Sequence, residues 1–199
     1  MRGYECTGID SQTGDPIFKD MNDDGIIGDA DQTEIGSAIP DFTYGITLTA
    51  AWKGFDLTIF GSGSHGNDVF AGYNRTSRMK ANTLKEFYDG RWTTAGDNAK
   101  YARSNPSNYD KYLKSSKFVF DGSYFKIKQI QLGYNLPENL LKQIGLSNLR
   151  LYCSLDDFFT FTKYPGFDPE FTSTGSAMGL DMGSYPSSKK VVFGLNVAF

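Results

Sequence analysis

Apolar and polar residues alternate along five stretches of the chain. In 42–50, Phe42, Tyr44, Ile46, Leu48 and Ala50 fall on one side of a strand, and Thr43, Gly45, Thr47 and Thr49 on the other. Phe55, Leu57 and Ile59 then alternate with Asp56, Thr58 and Phe60. Only Ala51-Trp52-Lys53-Gly54 separates the two runs, which predicts a tight hairpin with a glycine in its turn and Trp52 at an interface. Stretch 123–135 changes phase: Phe125 and Ile127 share one parity, Ile130, Leu132 and Tyr134 the other. A bulge near Lys128-Gln129, or a strand covered on both faces at one end, accounts for the shift. In 148–160, Leu149, Leu151, Cys153 and Leu155 oppose Arg150, Tyr152, Ser154 and Asp156. In 190–199, Val191, Phe193, Leu195, Val197 and Phe199 oppose Val192, Gly194, Asn196 and Ala198. About 9 to 11 tilted residues cross a bilayer, so the length fits a membrane strand. Residues 2–9 are a weaker sixth candidate.

The connections alternate in length. Stretches 10–40, 63–121 and 161–189 are long, 51–54 is short and 136–147 is moderate. In the moderate one, Pro137 and Gly145 bracket a predicted short helix. Antiparallel barrel strands give this asymmetry, with short turns on the periplasmic side and long loops outside. The fold class expected is therefore all-β: an antiparallel transmembrane β-barrel segment with long extracellular loops. Five or six strands cannot close a membrane barrel, whose smallest forms have about eight. An open edge in lipid leaves backbone groups unpaired. The chain thus reads as one portion, 1–199, of a larger barrel.

Composition leaves this reading in place and removes others. The 199 residues carry 20 Lys+Arg against 23 Asp+Glu, a formal net charge of -3, which argues against a nucleic-acid partner. Mean hydropathy is -0.40. No apolar run reaches the roughly 18 residues of a transmembrane helix, but alternating strands dilute that signal. The opening Met1-Arg2-Gly3-Tyr4-Glu5-Cys6 has no apolar signal-peptide core, which again predicts a piece of a longer protein. Cys6 and Cys153 lack metal-site spacing and read as small apolar side chains, with a disulfide between them left open.

Candidate chemistry is sparse. Asp20 to Asp31 follows the calcium-loop pattern, with oxygens from Asp20, Asn22 and Asp24, a turn at Gly25, the backbone carbonyl of Ile26, and Asp31 at the last position. The readings are a structural Ca2+ ion in an outer loop, or an acidic solvent-facing turn. His65, the only histidine, reads as a flexible loop residue. Asp168-Pro169-Glu170 resembles a glycosidase carboxylate pair only superficially and reads as a turn. Without a nucleophile, zinc or phosphate-loop motif, no enzyme is expected. Trp92, Tyr101, Tyr109 and Tyr112 are candidates to meet a ligand or a lid, or to pack the long loop. A soluble secreted, calcium-stabilised, carbohydrate-binding β-sandwich is the alternative, and independence from detergent would distinguish it.

Ordered stretches across nearly the whole chain resemble the C-terminal part of SusC/RagA-type TonB-dependent outer-membrane transporters. They include Gly14-Asp15-Pro16-Ile17-Phe18-Lys19-Asp20, Pro40-Asp41-Phe42-Thr43-Tyr44-Gly45, Trp52-Lys53-Gly54-Phe55-Asp56-Leu57, Gln131-Leu132-Gly133-Tyr134 and Gly166-Phe167-Asp168-Pro169-Glu170. The resemblance implies a plugged barrel of about 22 strands. It implies energy delivered through TonB, a SusD-like surface lipoprotein as lid, and import of glycans or peptides across the outer membrane of a Gram-negative, Bacteroidetes-like cell. The plug, the TonB box and the earlier strands have no counterpart in this sequence. Asp156-Asp157-Phe158 stands where the family often has a Gln-Asn-Leu type of run.

Overall fold

The computed structural model describes residues 1–73, 83–171 and 177–199. Along the chain run β1 (Arg2–Tyr4), β2 (Cys6–Ile9), β3 (Pro16–Phe18), β4 (Gln32–Glu34), β5 (Phe42–Trp52), β6 (Phe55–His65) and β7 (Asp68–Ala71). Then come α1 (Lys85–Asp89), α2 (Tyr109–Leu113), β8 (Val119–Asp121), β9 (Tyr124–Asn135), α3 (Glu138–Ile144), β10 (Asn148–Thr162), β11 (Leu180–Asp181) and β12 (Lys190–Ala198). They fall into two compact units. One comprises Met1–Ile39, Asn67–Asp121 and Thr172–Ser184; the other comprises Pro40–Gly66, Gly122–Phe171 and Tyr185–Phe199.

The second unit is the sheet that the alternation predicts. Its order is β12-β10-β9-β6-β5, every pair antiparallel. Trp52 pairs with Phe55 across a two-residue turn in which both Lys53 (φ 47) and Gly54 (φ 86) are left-handed. Two positive φ values make the type I′ turn whose twist matches that of the flanking strands. Helix α3 starts after Pro137 and stops at left-handed Gly145, whose N–H returns to the Leu141 carbonyl. The phase shift in β9 is a bulge: Phe60 pairs with Gln129 but Gly61 with Ile127, leaving Lys128 as the extra residue. On the other side β10 steps from Asp156 to Phe159 over the same interval, with Asp157 at φ 58.

The Gly-rich run is strand rather than loop. β6 continues through Gly61-Ser62-Gly63-Ser64-His65, and His65 pairs with Phe42, their rings 5.2 Å apart. Side chains from neighbouring strands occupy the space beside these glycines. A Cβ on Gly61 would meet the Phe125 ring at 2.5 Å, and one on Gly63 the Tyr44 ring at 2.5 Å.

The first unit holds a conventional core. Phe87, Tyr101, Tyr112, Leu113 and Phe118 are buried together with Ala71 and Ala102. Rings meet edge-on, Phe87–Tyr101 at 4.6 Å and Tyr112–Phe118 at 5.0 Å. Here the sixth-strand expectation is corrected. Residues 2–9 break into two short pieces, β1 pairing with β4 and β2 with β3, neither in the large sheet. Strands of 3 and 4 residues are too short to cross a bilayer. Cys6 packs against the core, and both cysteines are free thiols.

Candidate functional site

The site is the sheet itself, because its two faces differ in chemistry. Outward residues of all five strands share rungs. Leu48, Ile59, Ile130, Leu155 and Val191 form one; Ala50, Leu57, Leu132, Cys153 and Phe193 form the next. Leu48, Ala50, Leu132, Val191 and Phe193 are exposed, Leu48 at 60% and Phe193 at 79%, and the other five are partly exposed. Apolar contact with water on this scale disfavours any soluble state at roughly 25 cal/mol per Å². The face therefore fits an apolar solvent.

Aromatic rows bound that apolar band. Towards the end from which the long connections leave, Tyr44 and Phe125 stack at 5.9 Å, and Phe125 and Phe161 at 6.4 Å. Towards the hairpin end lie Trp52, with the Lys53 ammonium 4.8 Å from its ring, and Phe55 against Tyr134 at 4.5 Å. Tyr44 to Trp52 spans roughly 27 Å of strand at about 3.4 Å per residue. A tilt near 40° makes that about 21 Å of height, close to the apolar band of membrane barrels.

The opposite face is polar. Thr43, Thr47, Thr49, Thr58, Gln129, Gln131, Asn196 and the charged residues occupy most of it, with Phe60, Tyr152 and Val192 among them. Near the hairpin end Arg150 Nε donates to Asp56 Oδ1 at 3.0 Å, and Asn135 Nδ2 donates to the same oxygen at 3.3 Å. The pair passes over Gly133, where a Cβ would come within 2.5 Å of both side chains. The Arg150 guanidinium continues to the Tyr152 ring, 5.2 Å away. Nearer the long connections, Lys126, Lys128, Asp168 and Glu170 form an ion cluster. Burial pushes the Asp168 carboxyl up, but hydrogen bonds from the Lys126 ammonium and from the Ser187 and Glu170 N–H groups outweigh it and hold the group below its ordinary range. Sequence reasoning took Asp168 and Glu170 as a turn and did not find their lysines. The turn is present, with the Glu170 N–H donating to Asp168 Oδ1 at 3.0 Å.

In the first unit the acidic loop closes on its own hydrogen bonds. Asp20 accepts the Asn22 and Gly25 N–H groups, and Asp24 accepts the Ile26 N–H. Asp31 is buried and takes the Met21 and Gly28 N–H groups at 2.8 and 2.7 Å. Those N–H groups, with Asp20 alongside, hold the Asp31 carboxyl below its ordinary range. Among the described residues, no three His, Cys, Asp or Glu side chains gather into a group that could hold a metal ion.

The four loop aromatics divide. Tyr101 (3% exposed) and Tyr112 (5%) are core residues, out of reach of a ligand or lid. Their hydroxyls are used internally: Tyr101 donates to Glu86 Oε1 at 2.9 Å, and Tyr112 accepts the Ala102 N–H at 3.0 Å. Burial, and for Tyr101 also Glu86, raises both phenols far above the ordinary range. Trp92 is half-buried over Gly14 and donates its indole N–H to the Ser11 carbonyl at 2.9 Å. Tyr109 is half-buried against the same core. The packing reading of these aromatics is the one this arrangement fits.

A sheet with an apolar exterior, two aromatic rows and a polar reverse is a section of transmembrane β-barrel wall. No family model matches the chain. It is 35% identical over 96% of its length to TonB-dependent receptor P3 of Formosa agariphila, and 26% identical over 98% to TonB-dependent receptor SusC of Bacteroides thetaiotaomicron. The chain spans 19% of the length of each of these relatives. A structure of the RagAB peptide transporter superposes on all of it with a TM-score of 0.79 at 25% identity, using 23% of that chain. The RagAB peptide importer in its 'open-open' state shares the fold, with a TM-score of 0.77 at 23% identity. Along nearly its whole length the chain is similar to one section of the SusC/RagA-type TonB-dependent receptors.

Proposed function

We propose that this section forms part of the wall and outer loops of an outer-membrane importer for glycans or peptides. The observation that carries the reading is the sheet's two-sidedness: an exposed apolar face between aromatic rows, backed by a polar face with fixed ion pairs. Energy coupling through TonB is assigned to the rest of the protein, since this chain matches 19% of its relatives. A SusD-like surface lipoprotein is the proposed partner, and outer-membrane lipid the surrounding medium. The edge strands β5 and β12 are closed, in this reading, by strands outside this section, because open edges are not viable in lipid. The β-sandwich alternative requires a second sheet over the apolar face, and among the described residues that face stays exposed.

Deleting the gene for the complete protein is expected to abolish growth on at least one large glycan or peptide and to spare growth on porin-sized sugars. Unaltered growth on every member of a broad panel contradicts the proposal. A Ca2+ ion at Asp20, Asn22, Asp24, Ile26 and Asp31 belongs to the same reading. Its support is the ligand spacing. Added calcium is expected to slow proteolysis within 20–31, and Asp20→Ala with Asp24→Ala to abolish that effect. Identical digestion with and without the ion removes calcium from the account.

A further inference from the structure

On the inner face of β9, the aligned neighbours of Lys126 are Ser62 on β6 and Thr160 on β10. Neither carries a charge, yet Lys126 is only 1% exposed. Its cover comes from outside the sheet. Lys126 Nζ donates to Asp168 at 3.0 and 2.8 Å and to Ser187 Oγ at 3.3 Å, and lies 3.2 Å from Glu170 Oε2. Asp168, itself 8% exposed, accepts the Glu170 and Ser187 N–H groups, each at 3.0 Å. Glu170 also pairs with Lys128, which lies within salt-bridge reach of Asp157. Asp168 follows β10 and Ser187 precedes β12. One carboxylate therefore ties both ends of the β10–β12 connection to β9, a strand adjacent in sequence to neither end.

We propose that Asp168 and Lys126 form a releasable latch holding the two ends of this connection, 163–171 and 185–189, against the inner face of the wall. The inference rests on reading that face as the lining of a water-filled lumen. A buried ammonium with no counter-ion is strongly disfavoured, as is a buried carboxylate alone. Both charges are satisfied when the ends are seated, and both are satisfied again by lumen water when the ends lift. Half-released arrangements leave one charge buried and unpaired. The two ends therefore have two discrete positions rather than a continuous range. The Lys128–Glu170 contact gives the seated position a second attachment.

The test uses the complete outer-membrane protein purified in detergent, with Asp168→Asn, Lys126→Met and the double variant. Hydrogen exchange is read at the Ser187 and Glu170 amides, and barrel integrity by heat-modifiable gel mobility. Each single variant is expected to raise exchange at those amides roughly tenfold or more, the scale of losing a charge-assisted hydrogen bond. The strand amides of β6, β9 and β10 stay protected, and the double variant adds little beyond either single one. Unchanged exchange in Asp168→Asn overturns the latch. So does Lys126→Met if it deprotects the strands themselves or shifts the gel mobility, because Lys126 would then support the wall and not the connection. A spin label at Gln131 separates the two readings. If Gln131 is water-accessible while the amides stay unaffected, only the latch fails; if Gln131 is dry, the lumen reading fails first.

Discussion

Phe193 and Phe118 are the same side chain in opposite circumstances. Phe118, in the unit built from the long connections, is 4% exposed and ringed by Phe87 and Tyr112. Phe193, on the outward side of β12, is almost bare. The contrast extends to whole regions. In one unit aromatics turn inward and acids such as Asp23 and Asp24 stay exposed; in the sheet Leu, Ile and Phe turn outward while Lys126 is buried on the inner side. Hydrophobicity alone does not decide where a residue sits. The solvent on each side of the element decides, and in the proposed reading the sheet has lipid on one side and water on the other.

The contrast can be broken most strongly in the unit built from the long connections. Phe118→Ala removes the ring contacted by both Phe87 and Tyr112, and is expected to cost about 3–5 kcal/mol of that unit's stability, read by chemical denaturation. Next comes the membrane face. Ile130→Arg, on a middle rung, is expected to cost about 2–4 kcal/mol in a bilayer refolding titration. Its neighbour Gln131→Arg, on the polar side, should change stability by about 0.5 kcal/mol or less. Equal costs at the two positions would erase the distinction between the faces. Gly133→Ala forces a methyl into the Asp56–Arg150 bridge and is expected to cost about 1–3 kcal/mol, with Arg150 displaced in a structure of the variant.

The smallest effect is that of pH on the Asp168 latch, whose carboxyl is faced by Lys126, Lys128, Glu170 and Tyr124. Its folded value lies below the ordinary 3.8, so its contribution is full above 3.8 and is lost as pH falls below that value. Protease resistance of 163–171 and 185–189 is expected to hold at neutral pH and weaken only in strong acid.

The wall was legible in the sequence because a period of two, repeated over about ten residues, encodes both strand and face. Even the bulge at Lys128 appeared as a change of phase. Gly61-Ser62-Gly63-Ser64-His65 was not legible as strand, since glycines read locally as loop. What fills the space beside them is Phe125 and Tyr44 from neighbouring strands, and nothing local reports such partners. Tyr101 and Tyr112 were ambiguous for a related reason. Their core draws on short elements scattered through a stretch without periodicity, so exposure could not be told from burial. Lys126 and Asp168 lie 42 residues apart and met only when the chain folded.

The central claim is tested most directly by paired spin labels at Leu132 and Gln131, with Cys6 and Cys153 replaced by Ser, in the complete protein reconstituted in lipid. Collisional relaxation by oxygen, which concentrates in acyl chains, is compared with relaxation by a water-soluble nickel chelate. The account predicts that the label at 132 responds to oxygen and the label at 131 to nickel. A nickel response at 132, or the same response at both positions, would contradict it.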